Sequence, residues 1–333
     1  TLDSSLQQAV DELLADYRGA IIVIGAADGR VLAMASHPGY DPNTLDTDWN
    51  TLTTRPDAPL VNRATQGLYQ PGGILQTVIT AIALNSGRVD LNTPWTGNTA
   101  VEVNGVWLRC AARPVATIET FSDAYTAGCP ALFQQIAAIL GGDDIVSGFE
   151  EFGLYEPSPL DPLAQVEVRR PSGLTDDALL LTAIGQGDLT VTPLQMVLVA
   201  ASVANDGKMP VPYAVTDQRA PGQPEWQPVQ RIGVSRGVMS RDTALALRGL
   251  MAESVRRGAA SGASVPGGTI YGHAGQALSG PEQDSFNSWF IGFTYGEDGQ
   301  PVAIAVLIED TRNVGLAARI GAGGLQAARE SGH

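Results

Sequence analysis

Residues 69–77 read YQPGGILQT and carry the chain from a turn into a helix. Pro71-Gly72 is a turn dipeptide, and the apolar residues that follow recur with helical spacing. The N-terminus of a helix concentrates free N–H groups and the positive end of the helix dipole, so nucleophiles and anion sites are often built there. This helix start presents Gly73 and Gln76, and neither side chain is a nucleophile or a base.

Strand patterns lie towards both ends of the chain, and helical patterns fill the middle. Two β-branched apolar runs flank Asp28-Gly29, which predicts a hairpin because glycine supplies the positive φ of the turn. Residues 36–68 are rich in Pro, Asn and Asp and are predicted to form loop and short turns. The periodicity near the C-terminus predicts strands at 269–272, 288–294 and 302–308 and a helix at 315–330. The two ends must meet to complete one sheet, so the chain is predicted to be an α/β domain with a helical insertion.

The charge of the chain restricts its partners. Acidic residues outnumber basic ones by 35 to 20 among 333 residues, a formal net charge of -15. This charge disfavours nucleic acid and anionic membranes, which are bound through Lys and Arg. Lys208 is the only lysine, so a mechanism that needs a lysine base has one candidate. No apolar run approaches the roughly 18 residues of a membrane-spanning helix, and the start at Thr1 without Met predicts an excised fragment.

The cysteines and histidines are few. Cys110 and Cys129 are the two cysteines. They permit one disulfide in a protein outside the cytoplasm, and two free buried thiols are the alternative. No group of Cys and His has metal-ligand spacing, so the sequence predicts no metal site, and no cofactor is expected.

Several segments resemble the transpeptidase domain of penicillin-binding proteins, especially the class B type. Residues 62–69 lead into the opening stretch as they do in that family, and residues 184–188 followed by 191–196 are a highly specific match. Residues 288–293 are similar to the strand after the family's third motif. The likeness covers nearly the whole chain. It implies a mixed, mainly antiparallel five-stranded sheet flanked by helices, with a large helical insertion.

Enzymes of this family carry the motifs Ser-x-x-Lys, Ser-x-Asn and Lys-Thr-Gly. Their serine attacks the D-alanyl–D-alanine end of a peptidoglycan stem peptide, or a β-lactam that mimics it. The resemblance places the serine at position 73 and its lysine at position 76. It places the second motif at positions 128–130 and the third on the strand at 271–276. The residues at these degenerate motif positions are Gly73, Gln76, Gly128, Cys129, Pro130, His273, Ala274, Gly275 and Gln276.

These residues lead to an expectation about activity. Gly73 has no side chain that could form an acyl-enzyme, and Gln76 cannot accept a proton. Losing a nucleophile–base unit lowers a rate on the order of a million-fold. The sequence therefore predicts a catalytically inactive domain, a structural or regulatory module in peptidoglycan synthesis or cell division rather than an enzyme. The alternatives are a non-covalent sensor of stem peptide and a hydrolase that uses Cys129 and His273.

The resemblance also implies a location and partners. The domain is expected on the extracytoplasmic face of the bacterial cell membrane, held by an N-terminal anchor that this fragment lacks. Its expected partners are cell-wall synthesis or division proteins, with a glycan polymerase foremost, and peptidoglycan stem peptide. Residues 1–333 are expected to form a single domain, with an α/β part at about 1–75 plus 235–333 and a helical part at about 76–234.

Overall fold

The structure is a computed structural model of residues 1–333. It describes the chain except for residues 96, 114–116, 158–159, 161–162, 164–165, 167–169, 171–172, 231–232, 267 and 281–284. The helices of the described chain are α1 (Ser4–Leu14), α2 (Leu45–Thr54), α3 (Gln76–Ser86), α4 (Phe121–Ala127), α5 (Pro130–Leu140), α6 (Gly142–Glu151), α7 (Asp176–Ala183), α8 (Pro193–Ala204), α9 (Arg241–Arg257) and α10 (Val314–Glu330). Its strands are β1 (Gly19–Gly25), β2 (Val31–His37), β3 (Val101–Val103), β4 (Val106–Leu108), β5 (Lys208–Met209), β6 (Asp217–Gln218), β7 (Gln227–Pro228), β8 (Arg236–Gly237), β9 (Tyr271–Ser279), β10 (Ser285–Tyr295) and β11 (Pro301–Ile308).

A five-stranded sheet in the order β2-β1-β11-β10-β9 forms the centre of the fold. All four strand pairs are antiparallel, and the register of β1 on β11 runs from Gly19 opposite Ile308 to Gly25 opposite Val302. Every residue of β11 is buried, as expected for a central strand that is covered on both faces. The two ends of the chain therefore meet in one sheet, and the predicted α/β fold is confirmed.

Two local predictions were wrong. β9 extends over Tyr271–Ser279 instead of ending at residue 272, because pairing along β10 overrides the weak strand propensity of its glycines. Residues 36–68 are not loop throughout, since α2 lies within them. Only Leu52 of α2 is buried, so its sequence lacks the apolar face by which a helix is recognised.

Helices cover both faces of the sheet. On one face, α1 and α10 pack against each other and against the sheet, and α1 buries Leu6, Val10 and Leu14. On the other face, α8 packs against β1, β10 and β11 with every one of its residues buried. A capping box starts α8: the Thr192 N–H donates to Gln195 Oε1 at 2.8 Å. The candidate functional site lies on this second face, where β9 meets α9 and the turn at Gly72–Leu75 that leads into α3.

No helix in the described part of the chain is long and apolar enough to cross a membrane.

Candidate functional site

The opening stretch forms a tight turn against the edge of the sheet. Gly72–Leu75 is a short 3₁₀ helix that passes directly into α3 at Gln76. Gly72 has a φ of 54°, and its N–H donates to the Gly185 carbonyl at 2.9 Å. A Cβ built on Gly185 would lie 2.2 Å from the Gly72 carbonyl oxygen. Both positions therefore need glycine, and the 185–187 loop fixes the turn that carries Gly73.

Gly73 faces Gly275 across the junction of this turn with β9. A Cβ added to Gly275 would lie 2.6 Å from the Gly73 Cα, and a Cβ added to Gly73 would lie 3.0 Å from the Gly275 Cα. The two backbones thus touch where the resemblance places the nucleophile and the third motif. The close approach accounts for glycine at position 275 on packing grounds alone.

A buried hydrogen-bonded chain runs beside this contact. The His273 side chain is 0 % exposed and joins Gln76 to Ser254: its Nε2 lies 3.1 Å from Gln76 Oε1, and its Nδ1 lies 3.2 Å from Ser254 Oγ. Since an amide oxygen can only accept, Nε2 carries the proton and Nδ1 accepts from the Ser254 hydroxyl. The Tyr125 ring stacks on the imidazole at a centroid distance of 4.3 Å. These contacts hold the imidazole of His273 in one tautomer.

The imidazole of His273 is neutral. Burial lowers its pKa from 6.5 to about 3, against a smaller opposing effect of a hydrogen bond to the Gly73 backbone. Burial also raises the pKa of the Tyr125 hydroxyl, which shares a 3.0 Å hydrogen bond with Thr77. At pH 7 the polar groups around position 76 therefore form an uncharged network.

The second motif position lies where α4 passes into α5. Gly128 caps α4 with a φ of 67°, Cys129 precedes α5, and Pro130 is the first residue of α5. A Cβ on Gly128 would lie 3.0 Å from the Cβ of Ala111. Cys129 is 1 % exposed and is bonded to Cys110 in a disulfide. The alternative of a Cys129–His273 hydrolase was wrong, because Cys129 has no free thiol.

The other predicted positions divide between the two faces of β9. Gly275 and His273 point towards α3 and α9, whereas Ala274 packs in the core on the α10 side. Gln276 is half-buried, and its carbonyl lies against Gly72. Exposed Lys208 lies in β5, which pairs only with β8 and is not part of this site. In the described chain, no three His, Cys, Asp or Glu side chains are placed to share a metal ion.

The sequence did not identify Glu309, whose carboxylate holds the start of the 69–77 stretch in place. Glu309 accepts hydrogen bonds from Arg63 Nε at 2.8 Å and from the Tyr69 hydroxyl at 2.8 Å, and it pairs with Arg18 Nε at 2.6 Å. Burial, followed by the nearby Glu309 charge, raises the pKa of Tyr69. Trp289 Nε1 donates to the backbone carbonyl of the next residue, position 70, at 3.1 Å. The hydrogen bonds among these contacts join residues 219 to 246 positions apart in sequence, so no local pattern reveals them.

Comparison with known proteins identifies the family. The family model of the penicillin binding protein transpeptidase domain matches residues 19–325. The chain belongs to this family. It is 31 % identical over 341 residues to the peptidoglycan D,D-transpeptidase PbpA of Mycolicibacterium smegmatis, covering 93 % of this chain and 66 % of the relative. The chain thus spans just under two thirds of that relative's length.

Solved structures share the fold. The D,D-transpeptidase domain of a peptidoglycan glycosyltransferase from Eggerthella lenta has a TM-score of 0.85 at 26 % identity, covering 99 % of this chain and 82 % of that one. Penicillin-binding protein A of M. tuberculosis, in its penicillin G acyl-enzyme complex, has a TM-score of 0.80 at 27 % identity, covering 98 % of this chain and 79 % of that one.

These relatives overturn one expectation from the sequence. The expectation of a catalytically inactive domain that is not an enzyme was wrong: relatives at 27–31 % identity are named peptidoglycan D,D-transpeptidases. Nothing in the fold shows a loss of activity. The assignment of motif positions to Gly73, Gln76 and their counterparts remains a prediction.

Proposed function

We propose that this chain is the D,D-transpeptidase-type domain of a peptidoglycan-synthesis protein, and that the D-alanyl–D-alanine end of a stem peptide enters beside β9 at the Gly72–Leu75 turn. The observation that carries the proposal is the family match over residues 19–325. The PbpA relative is named a peptidoglycan D,D-transpeptidase, and this name supports peptidoglycan as the substrate class. β9 is an edge strand of the sheet, and an edge strand can bind an extended peptide through its backbone.

The groups around the turn restrict the chemistry of this site. Gly73 offers no attacking atom, and the hydroxyls of Thr77, Tyr125 and Ser254 lie in fully buried side chains within the hydrogen-bonded network. A covalent step therefore requires a side chain that enters from outside this network. Neutral His273 adds no positive charge for the terminal carboxylate, so backbone N–H groups are the donors available to it.

The proposal is tested with a fluorescent penicillin and with a peptide ending in D-alanyl–D-alanine. The purified domain is incubated with the penicillin, and any adduct is mapped to a residue by mass spectrometry. Calorimetric titration measures binding of the peptide. A covalent adduct near β9, or saturable binding of the peptide that the penicillin displaces, supports the proposal. Absence of both, under conditions that label M. tuberculosis penicillin-binding protein A, would refute it.

We infer a location and partners on the same basis. Relatives named peptidoglycan D,D-transpeptidases support an extracytoplasmic domain with partners in cell-wall synthesis. As finer parts of the proposal, an N-terminal anchor lies upstream, and a glycan polymerase or division protein is the partner. We also propose that residues 1–333 act as one unit, with the α/β part at about 1–75 plus 235–333 and the helical part at about 76–234. Affinity purification of the full-length protein from its own cells tests the partners, and recovery of no cell-wall synthesis or division protein would contradict them.

A further inference from the structure

A cleft opens at the start of the stretch that leads into the Gly72–Leu75 turn. Its volume is about 520 Å³, and its walls come from Arg18, residues 68–70, Thr190, residues 278–280, Asn287 and residues 309–310. Gly73, Gln76 and His273 do not line it. We call it the Gln70 cleft.

Three polar groups in the Gln70 cleft lack partners among the described residues. Gln70 Nε2 donates to the Gly187 carbonyl at 2.7 Å, but its Oε1 is buried without a hydrogen bond. The Ser279 hydroxyl is also buried without a hydrogen bond. Asn287 is 6 % exposed, and its Oδ1 accepts from the Asp310 N–H, while its Nδ2 makes no hydrogen bond to a described residue. Buried polar atoms normally find partners, so Gln70 Oε1 and Ser279 Oγ, with Asn287 Nδ2 beside them, favour a ligand that both donates and accepts.

The charges around the cleft favour a neutral ligand. Arg18 pairs with Glu309, and the exposed carboxylate of Asp310 has no ion pair within the described chain. Glu309 balances the Arg18 charge, so Asp310 is the charge that a ligand meets; it repels an anion, and its oxygens accept hydrogen bonds from neutral hydroxyl or amide donors. Leu68, with 38 % of its surface exposed, and Leu278 add apolar wall. The lining therefore suits a neutral molecule that carries hydroxyl and amide groups with some apolar surface.

We propose that the Gln70 cleft binds a neutral saccharide with hydroxyl and acetamido groups. Sugar hydroxyls donate to Gln70 Oε1 and share hydrogen bonds with Ser279, while an acetamido carbonyl accepts from Asn287 Nδ2. A stem peptide fits less well, because its terminal carboxylate would face Glu309 and Asp310. The choice of a peptidoglycan glycan strand as the source of this saccharide rests on the proposed function; the saccharide chemistry itself rests on the cleft.

The test is an NMR titration of the ¹⁵N-labelled domain with di-N-acetylchitobiose. We expect saturable shifts of the side-chain amide signals of Gln70 and Asn287 with a Kd of about 1 mM, since a few hydrogen bonds must overcome the entropy of association. Ser279→Ala is expected to weaken binding several-fold while raising Tm, because the hydroxyl that it removes has no partner in the fold. Asn287→Asp keeps the acceptor for the Asp310 N–H but loses the amide donor, and it is expected to weaken binding further.

Gln326→Ala is the matched control, since Gln326 lines a different cleft beside α10 and donates to Glu330. Its affinity for the sugar is expected to equal that of the unmodified domain. The proposal is overturned if the sugar causes no saturable shift up to about 20 mM, or if Ser279→Ala and Asn287→Asp bind as the control does. It is also overturned if a peptide ending in D-alanyl–D-alanine moves these signals and the sugar does not. Penicillin labelling is read separately, so failure of the sugar with labelling intact refutes this inference alone.

Discussion

Replacement of Glu309 by glutamine is expected to lower the free energy of unfolding by about 3 kcal/mol. The Glu309 side chain is 10 % exposed and the Arg63 side chain is 3 % exposed, and the carboxylate also binds Arg18 and the Tyr69 hydroxyl. Among the described residues, Glu309 is the single acidic partner of Arg63. Removing one member of a buried ion pair costs about 3–5 kcal/mol because the remaining charge loses its compensation. The lower end applies here, since the guanidinium keeps two backbone carbonyl acceptors.

The assay is urea denaturation at pH 7, followed by tryptophan fluorescence. The expected result is a lower midpoint with an unchanged slope, because the surface exposed on unfolding stays the same. Glu253→Gln is the matched control: Glu253 binds Arg256 and Arg257, whose side chains are 65 % and 40 % exposed. An exposed pair of this kind contributes roughly 0–1 kcal/mol. Both variants remove one negative charge, so the difference between them isolates the buried network.

A third variant measures how much one hydrogen bond of the same network contributes to stability. Tyr69→Phe removes only the hydroxyl that donates to Glu309, and it is expected to lower stability by about 1 kcal/mol, the net worth of one ordinary hydrogen bond. The expected order of destabilisation is Glu309→Gln, then Tyr69→Phe, then the Glu253→Gln control. Equal effects of the two glutamine variants, or a loss below about 1 kcal/mol in Glu309→Gln, would refute the reasoning that a buried cation at Arg63 depends on this carboxylate.

Three further predictions concern the candidate site. Gly275→Ala is expected to destabilise the domain by about 2 kcal/mol or more in the same urea assay, because its Cβ would press on the Gly73 backbone at 2.6 Å; an unchanged midpoint would contradict that contact. Lowering the pH from 6.5 towards 3 is expected to lower the free energy of unfolding by up to about 1.4 kcal/mol per pH unit through His273. In this range the histidine of the unfolded chain binds a proton, whereas the buried imidazole, with a pKa of about 3, does not. This acid loss, measured by urea midpoints across the pH range, is expected to be shallower in His273→Gln. Reduction of the Cys110–Cys129 disulfide is expected to lower the free energy of unfolding by about 3 kcal/mol, because the unfolded chain regains the entropy of the open loop. The urea midpoint is measured with and without dithiothreitol, and the midpoint of a Cys110→Ser/Cys129→Ser variant should not change with dithiothreitol.

The fold was predictable to the extent that its signals are local. The hairpin of β1 and β2 follows from two β-branched runs around Asp28-Gly29. The start of α8 follows from Thr192, which caps the helix, and from Pro193, which is its first residue. β9 was predicted too short because glycine has a weak strand propensity, and Gly275 is required by its contact with the Gly72–Leu75 turn. α2 was missed because its sequence has almost no apolar face.

The site was predictable as a set of positions and not as a set of contacts. The family resemblance pointed to residues 73, 76 and 273, which the structure brings together through Gly275 and the Gln76–His273 hydrogen bond. Spacing could not reveal Ser254, which completes that hydrogen-bonded chain from α9. It also could not reveal Glu309, because its partners Arg63 and Tyr69 lie about 240 residues away. Contacts of this range depend on the sheet that joins the two ends of the chain, and this sheet exists only in the folded protein.

The residues at the predicted motif positions fit one another in charge and in volume. A lysine at position 76 would place a cation on a side chain that is 1 % exposed and faces His273, an imidazole that stays neutral above a pKa of about 3. Since no carboxylate is among the described partners of this chain, such a lysine would lose its proton or lower the stability of the fold. A side chain at position 73 would begin with a Cβ only 3.0 Å from the Gly275 Cα, so it would require the turn to move away from β9. Substitutions at positions 73, 76 and 273 are therefore expected to be non-additive in their effects on stability, because these positions share one neutral, closely packed junction.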